Sequence, residues 1–229
     1  MPASSFRKWL GVEMIAVSVP ERVVSGAGAT LAMLVLLAGA TWALPSEGAL
    51  AVVASMGASA VLLFAVPHGP LSQPWPVIAG HTVSALIGVV CARNIPHPWL
   101  AAACAVGLAV FAMHQWRCIH PPGGATAFTA VLGGPAIQRL GYDFVLFPVL
   151  ANAVALVLLA VLINLAFRWR RYPAAWNAPA TQKPGTHEEI PDETHARVLQ
   201  AVRELDSFVD ITEEDLIRLL RMLSKHSQS

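Results

Sequence analysis

The chain has 229 residues, 55% of them hydrophobic and 13% charged, with 15 Lys and Arg against 14 Asp and Glu. Soluble domains carry about 25% charged residues, so an ordinary soluble fold is excluded, and a formal net charge of +1 offers no electrostatic footprint for nucleic acid. Cys91, Cys104 and Cys118 all lie in or at the ends of hydrophobic segments and imply no disulfide framework.

In chain order, Arg7 and Lys8 precede a short run broken by Glu13, Pro20, Glu21 and Arg22, which does not fit a cleavable signal peptide. With Phe6, Trp9, Leu10 and Ile15 as anchors, residues 1–22 read as an interfacial amphipathic segment. Between Val23 and Phe167 the only charged residues are Glu47, Arg93, Arg117, Arg139 and Asp143. Together with the turn-rich stretch from Pro67 to Pro76 they mark off six hydrophobic elements, 23–44, 48–66, 77–93, 98–117, 121–137 and 144–167. This predicts an all-α, polytopic membrane helix bundle over 23–168. As helices, 48–66 and 121–137 would reach about 28 and 25 Å, enough either to cross or to dip in as broken helices.

Gly57-Ala58-Ser59-Ala60 is echoed by Gly124-Ala125-Thr126-Ala127, and Pro76-Val77-Ile78-Ala79 by Pro148-Val149-Leu150-Ala151. The echo predicts two copies of a three-element unit, with a 3+3 inverted repeat favoured over four crossings and two re-entrant segments.

Beyond Phe167, three arginines with Trp169 and Tyr172 read as a cytoplasmic interface anchor. With Arg7, Lys8 and Arg22 they put both termini in the cytoplasm. Residues 169–192 form a linker, and 193–229 an amphipathic helical tail with apolar stripes at Val198, Leu199, Val202 and Leu205, then Leu216, Ile217, Leu220 and Leu223. A unit that small holds no large core of its own, so its stripe needs a partner, and small-residue faces in the bundle point to a homo-oligomer. A bacterial inner membrane is the expected location.

The chemistry-bearing residues are few. Ionisable groups inside a bilayer tend to line a pathway, which singles out His81, His114 and His120; the plainer reading of His81 and His114 is a hydrogen bond to a neighbouring helix. Thr30, Thr41 and Ser84 are expected to bond back to their own helices. His114, Cys118 and His120 could form a soft metal site, but Pro121 takes His120 out of helical register and no fourth ligand appears, so neither metal nor cofactor is expected. There is no nucleophile elbow, no HExxH and no carboxylate within the hydrophobic elements, so an enzyme is not expected.

Pro121-Pro122-Gly123-Gly124 stops one helix and can start another inside the membrane. A helix start there offers backbone N–H groups and a dipole to a small anion, with Ser59 and its neighbours as the matching half-site. The candidate binding residues are Gly57, Ala58, Ser59, His81, His120, Gly123, Gly124, Ala125, Thr126 and Asn152. Tight helix packing through small residues is the competing explanation of the glycines.

His120-Pro121-Pro122-Gly123-Gly124-Ala125-Thr126-Ala127, with the Gly57 to Phe64 run, Pro70 to Pro74 and Gly80-His81 before it, resembles the HPP family of integral membrane proteins over about 48–167. The resemblance implies a fold usually described with four membrane-spanning helices, and nitrite transport, with which plant and cyanobacterial members are associated. Some bacterial members continue into paired CBS modules, which the sequence after Leu223 does not supply. The resulting expectation is a transporter or channel for a small inorganic anion, nitrite above all. The alternatives are metal or proton-coupled transport through the intramembrane histidines, or a membrane anchor that recruits a partner through its tail.

Overall fold

The computed structural model describes residues 17–43 and 46–177, with side chains outside 41–52. The segment 1–16 and the tail helices expected in 193–229 lie outside the described residues, as does the side chain of Thr41. The described elements are all helical: α1 (Val19–Ala43), α2 (Ser46–Ala65), α3 (Pro74–Asn94), α4 (Pro98–Gln115), α5 (Pro122–Leu132), α6 (Pro135–Leu140) and α7 (Ala151–Leu165), with a 3-10 turn at Pro70–Ser72. Four of them, α3 to α6, open with a proline in the first turn. There its missing N–H costs nothing and its fixed φ suits the helix.

Among the described residues, four stretches are long and apolar enough to cross a membrane: Val19–Ala40, Pro74–Asn94, Pro98–Gln115 and Val145–Leu165. Their outward faces carry Leu34, Leu86, Leu108, Phe111, Leu158 and Leu162, all exposed, as lipid-facing positions should be. Exposed Trp75, Trp99, Trp116 and Trp169 stand at helix ends, where an interfacial aromatic belt belongs. This is a multi-pass membrane protein.

Glu21, at the start of α1, is ion-paired with Arg170, just beyond α7, and Arg170 also donates to Phe64 O at the end of α2. We call this the near end. Trp75 Nε1 donates to Trp116 O, so α3 starts and α4 finishes there too. α5 runs alongside α3, from His120 and Gly123 beside Gly80 to Ala130 beside Gly88. The chain therefore alternates: α1, α3 and α5 run away from the near end, and α2, α4 and α7 run towards it.

The expected element 121–137 is not one helix. At 11 residues α5 is about 16 Å long. It ends at Gly133-Gly134, where Gly134 takes φ 88° before Pro135 opens α6. α7 is reached through a kinked π turn, Val145–Leu150, in which Phe147 is non-helical and Pro148 follows.

The arginine cluster also differs from expectation. Arg170 and Tyr172 are not an interface anchor but 1% and 0% exposed. Arg170 donates to Asn164 Oδ1 (3.0 Å), Ser25 Oγ (2.9 Å) and Phe64 O (2.5 Å), besides pairing with Glu21. Tyr172 donates to Ser72 O (2.8 Å), and Ala174 N to Gln73 Oε1 (3.0 Å). The residues just past α7 thus close the near end of the bundle rather than beginning a linker.

Candidate functional site

The Pro-Pro-Gly-Gly break delivers His120 into the interior. α4 ends at Gln115 and Arg117 adopts φ 52°; α5 then starts beside Gly80 and Ser84, about 10–15 Å along α3 from its first residue. The approach is close because both faces lack side chains. A Cβ on Gly80 would lie 2.8 Å from His120 Cβ and 2.9 Å from Cys118 O, and one on Gly123 would lie 2.8 Å from Ser84 Oγ and 3.0 Å from Gly80 O.

Four fully buried polar side chains meet at this break: Ser59 from α2, His81 from α3, His120 from the link and Thr126 from α5. Ser59 Oγ is 2.7 Å from His81 Nε2 and 2.8 Å from His120 Nε2; His81 Nδ1 is 2.7 Å from Thr126 Oγ1, and His120 Nδ1 is 2.9 Å from Leu71 O. The two rings pack edge-on with centroids 4.9 Å apart.

Hydrogen counting fixes the direction of every bond when both rings are neutral. Leu71 O can only accept, so His120 carries its proton on Nδ1 and its Nε2 must accept. Ser59 then donates to His120 Nε2. Having no second hydrogen, Ser59 must accept from His81, which therefore carries its proton on Nε2. His81 Nδ1 in turn accepts from Thr126. The chain of donation runs Thr126, His81, Ser59, His120, Leu71 O, with one hydrogen per link. Among the described residues no buried side-chain nitrogen or oxygen lacks a partner.

Of the residues singled out in the sequence, Ser59, His81, His120 and Thr126 come together here, and the echoed positions Ser59 and Thr126 grip the same imidazole from its two nitrogens. The others do not join them. Ala58 and Ala125 are exposed, Asn152 is half-buried with no role in the cluster, and His114 is exposed on α4. A Cβ on Gly57 or Gly124 would make only ordinary contact, with Met33 Cε at 3.8 Å and Val106 Cγ1 at 3.9 Å. Nor are the amides at the α5 start free: Gly123 N donates to His120 O (2.8 Å) and Gly124 N to Pro121 O (3.0 Å). Prolines 121 and 122 have no N–H, so the first turn presents no free donor from 121–124, and Gly123 serves helix packing. Ser84 contacts Met113 Sδ (3.9 Å) rather than its own helix, whereas Thr30 does bond back, to Gly26 O (2.8 Å). The contributor that sequence could not reveal is Leu71 O, a backbone acceptor from the 3-10 turn.

Two surface cavities lie at opposite ends of the bundle, and no residue of the cluster lines either. One of about 420 Å³ lies at the near end beside Glu21, Ala65, His68 and Arg170. The other, about 250 Å³, lies at the far end beside Val89, Arg93, Ala130, Gln138 and Gly141. Arg93 stacks over Tyr142, 4.6 Å from its centroid.

Comparison with known proteins agrees with the helical membrane body. The sequence matches the description "HPP, transmembrane region" over residues 14–173. The chain belongs to the HPP family. Two transmembrane proteins of Dictyostelium discoideum are similar to it, one 39% identical over 126 residues (53% of this chain, 40% of the relative) and one 38% identical over 128 residues (54% and 45%). The chain thus spans less than half the length of either relative. No solved structure matches. The HPP match takes in Glu21, Arg170 and Tyr172, so the near-end closure falls within the family's membrane region.

Proposed function

We propose that this HPP protein transports a small inorganic anion, with nitrite the first to test, and that Ser59, His81, His120 and Thr126 form its intramembrane site. The observation that carries this reading is a wholly buried imidazole and hydroxyl cluster, built by α2, α3, α5 and the link that precedes α5. Polar groups so deep in a bilayer are costly and mark pathways, and hydroxyl and imidazole N–H groups suit anions. The alternating directions make α1–α2–α3 and α4–α5–α7 opposite in sense, as two inverted units would be. Arg22, Arg117, Arg168 and Arg171 at the near end favour that end as cytoplasmic.

The test is uptake of nitrite, nitrate and chloride into liposomes holding the full chain, with empty liposomes as control because nitrous acid crosses lipid unaided. Saturable uptake of one of the three supports the reading. No uptake of any, alongside capture of a partner through 194–226, would favour a membrane anchor instead.

A further inference from the structure

The cluster contains two imidazoles where hydrogen bonding to an anion would need none, and the arrangement of their hydroxyl partners is specific. Each hydroxyl has a second acceptor one helical turn back: Ser55 O at 3.3 Å from Ser59 Oγ, and Pro122 O at 3.5 Å from Thr126 Oγ1. When Thr126 turns to Pro122 O, His81 Nδ1 is free to take a proton and donate to Thr126. When Ser59 turns to Ser55 O, it can accept from both rings, and His120 Nε2 is free to take a proton. An added proton is therefore accommodated on either ring by rotating one hydroxyl, with no broken contact. Two positive charges on rings 4.9 Å apart in a fully buried site repel strongly, so the pair has room for one.

Among the described residues no carboxylate meets the pair; the buried Cys118 lies in the same link as His120. From α2 over 53–65 the pair meets serines only, from α5 a threonine, and from α4 Met113 packs nearby. α7 has no titratable side chain, His114 on α4 is exposed, and Cys104 packs away beside Cys91. Arg93 belongs to the far end, and Glu21 is bound to Arg170. A buried cation without a counter-charge is unfavourable, and so is a lone anion in the same place. Together they are neutral.

We propose that His81 and His120 hold one proton between them and that the protein carries this proton across the membrane together with one small anion. The proposal rests on the anion reading above and gives it a coupling ion. Loading adds H⁺ to one ring nitrogen and an anion beside it, and release on the other side returns both, so each cycle moves no net charge.

The experiment is uptake of sodium nitrate, chloride and nitrite by liposomes holding the full chain, with a pH dye inside and the voltage clamped by potassium and valinomycin. Strong-acid anions avoid the leak of nitrous acid, and for nitrite the empty-liposome signal is subtracted. The expected result is acidification of the lumen in step with uptake, close to one proton per anion, at a rate that does not respond to voltage. Either ring can take the proton, so the double variant His81→Gln with His120→Gln, which leaves neither, should lower the proton-to-anion ratio at least several-fold. Uptake that is accelerated by an inside-positive voltage, without acidification, would overturn the coupling and leave anion transport standing. Acidification with no anion required would also overturn it. Absence of uptake of all three anions would overturn the anion reading itself.

Discussion

The two buried polar networks of this protein are built alike and differ in one respect. At the near end, Arg170 joins Glu21, Ser25, Phe64 O and Asn164; in the membrane interior, His81 joins Ser59, Thr126 and, through Ser59, His120. Both draw on segments far apart in sequence, and both satisfy every buried side-chain polar atom described. The near-end network is a permanent cation with its own carboxylate. The interior one has no permanent charge and, among the described residues, no carboxylate. A charge neutralised by a resident partner holds helices together, whereas groups that can become charged with nothing resident to neutralise them are ready to receive a ligand that does.

The sharpest way to break this contrast is to remove the paired charge. Arg170→Met strands Glu21 Oε1, Asn164 Oδ1 and Phe64 O, leaving Glu21 only its bond from Trp169 Nε1, and should cost about 3 kcal/mol. The expected readout is a large loss of monodisperse protein on size exclusion in mild detergent. Normal yield would show that the near-end network is dispensable.

A smaller effect separates packing from ligand contact at the helix break. Gly123→Ala must displace α3, costing about 1–3 kcal/mol, while the methyl of Gly124→Ala meets only Val106 and should fold normally. Thermal unfolding in detergent checks both. Equal destabilisation by the two would contradict the assignment of Gly123 alone to the α3–α5 contact.

Within the interior cluster, Ser59→Ala leaves a donor on His81 and an acceptor on His120 unmatched, for about 1–3 kcal/mol. Because the protein keeps its near-end closure, it should still insert and purify, with uptake reduced at least tenfold per folded molecule. Wild-type uptake in well-folded Ser59→Ala would remove Ser59 from the site.

The smallest effect concerns Tyr172. Burial pushes its phenol above the usual value near 10, so the folded state holds this proton more tightly than the unfolded chain. Its contribution is complete below about pH 10 and is lost as pH rises beyond that. Melting temperatures measured from pH 8 to 11 should fall more gently above 10 in Tyr172→Phe, which itself costs about 1 kcal/mol. An unchanged slope would mean that the phenol titrates freely.

Much of this was readable in the sequence, for identifiable reasons. Prolines 74, 98, 122 and 135 punctuate the helices because each removes a donor where none is needed, and the spacing of charges delimited the long spans to within a few residues. The echo between Ser59 and Thr126 pointed to two residues that share one imidazole. The break within 121–137 was missed because Gly133-Gly134 looks like one more small-residue pair until Gly134 adopts positive φ. The α5 amides were misjudged because a first turn can bond back to His120 O and Pro121 O. Burial of Arg170 depends on partners from Glu21 to Asn164, and the tautomers depend on Leu71 O; neither backbone carbonyls nor long-range pairing leave a local signature.

The central claim is that the interior cluster is neutral at rest and becomes charged only with an anion. Solid-state ¹⁵N spectra of imidazole-labelled protein in lipid at pH 7 read it directly, with His81→Gln and His120→Gln assigning the signals. Without added anion, His120 should be the Nδ1–H tautomer and His81 the Nε2–H tautomer. On adding sodium nitrite or nitrate at pH 6, one imidazolium per molecule should appear. Two reversed tautomers, or rings that respond identically with and without anion, would contradict it.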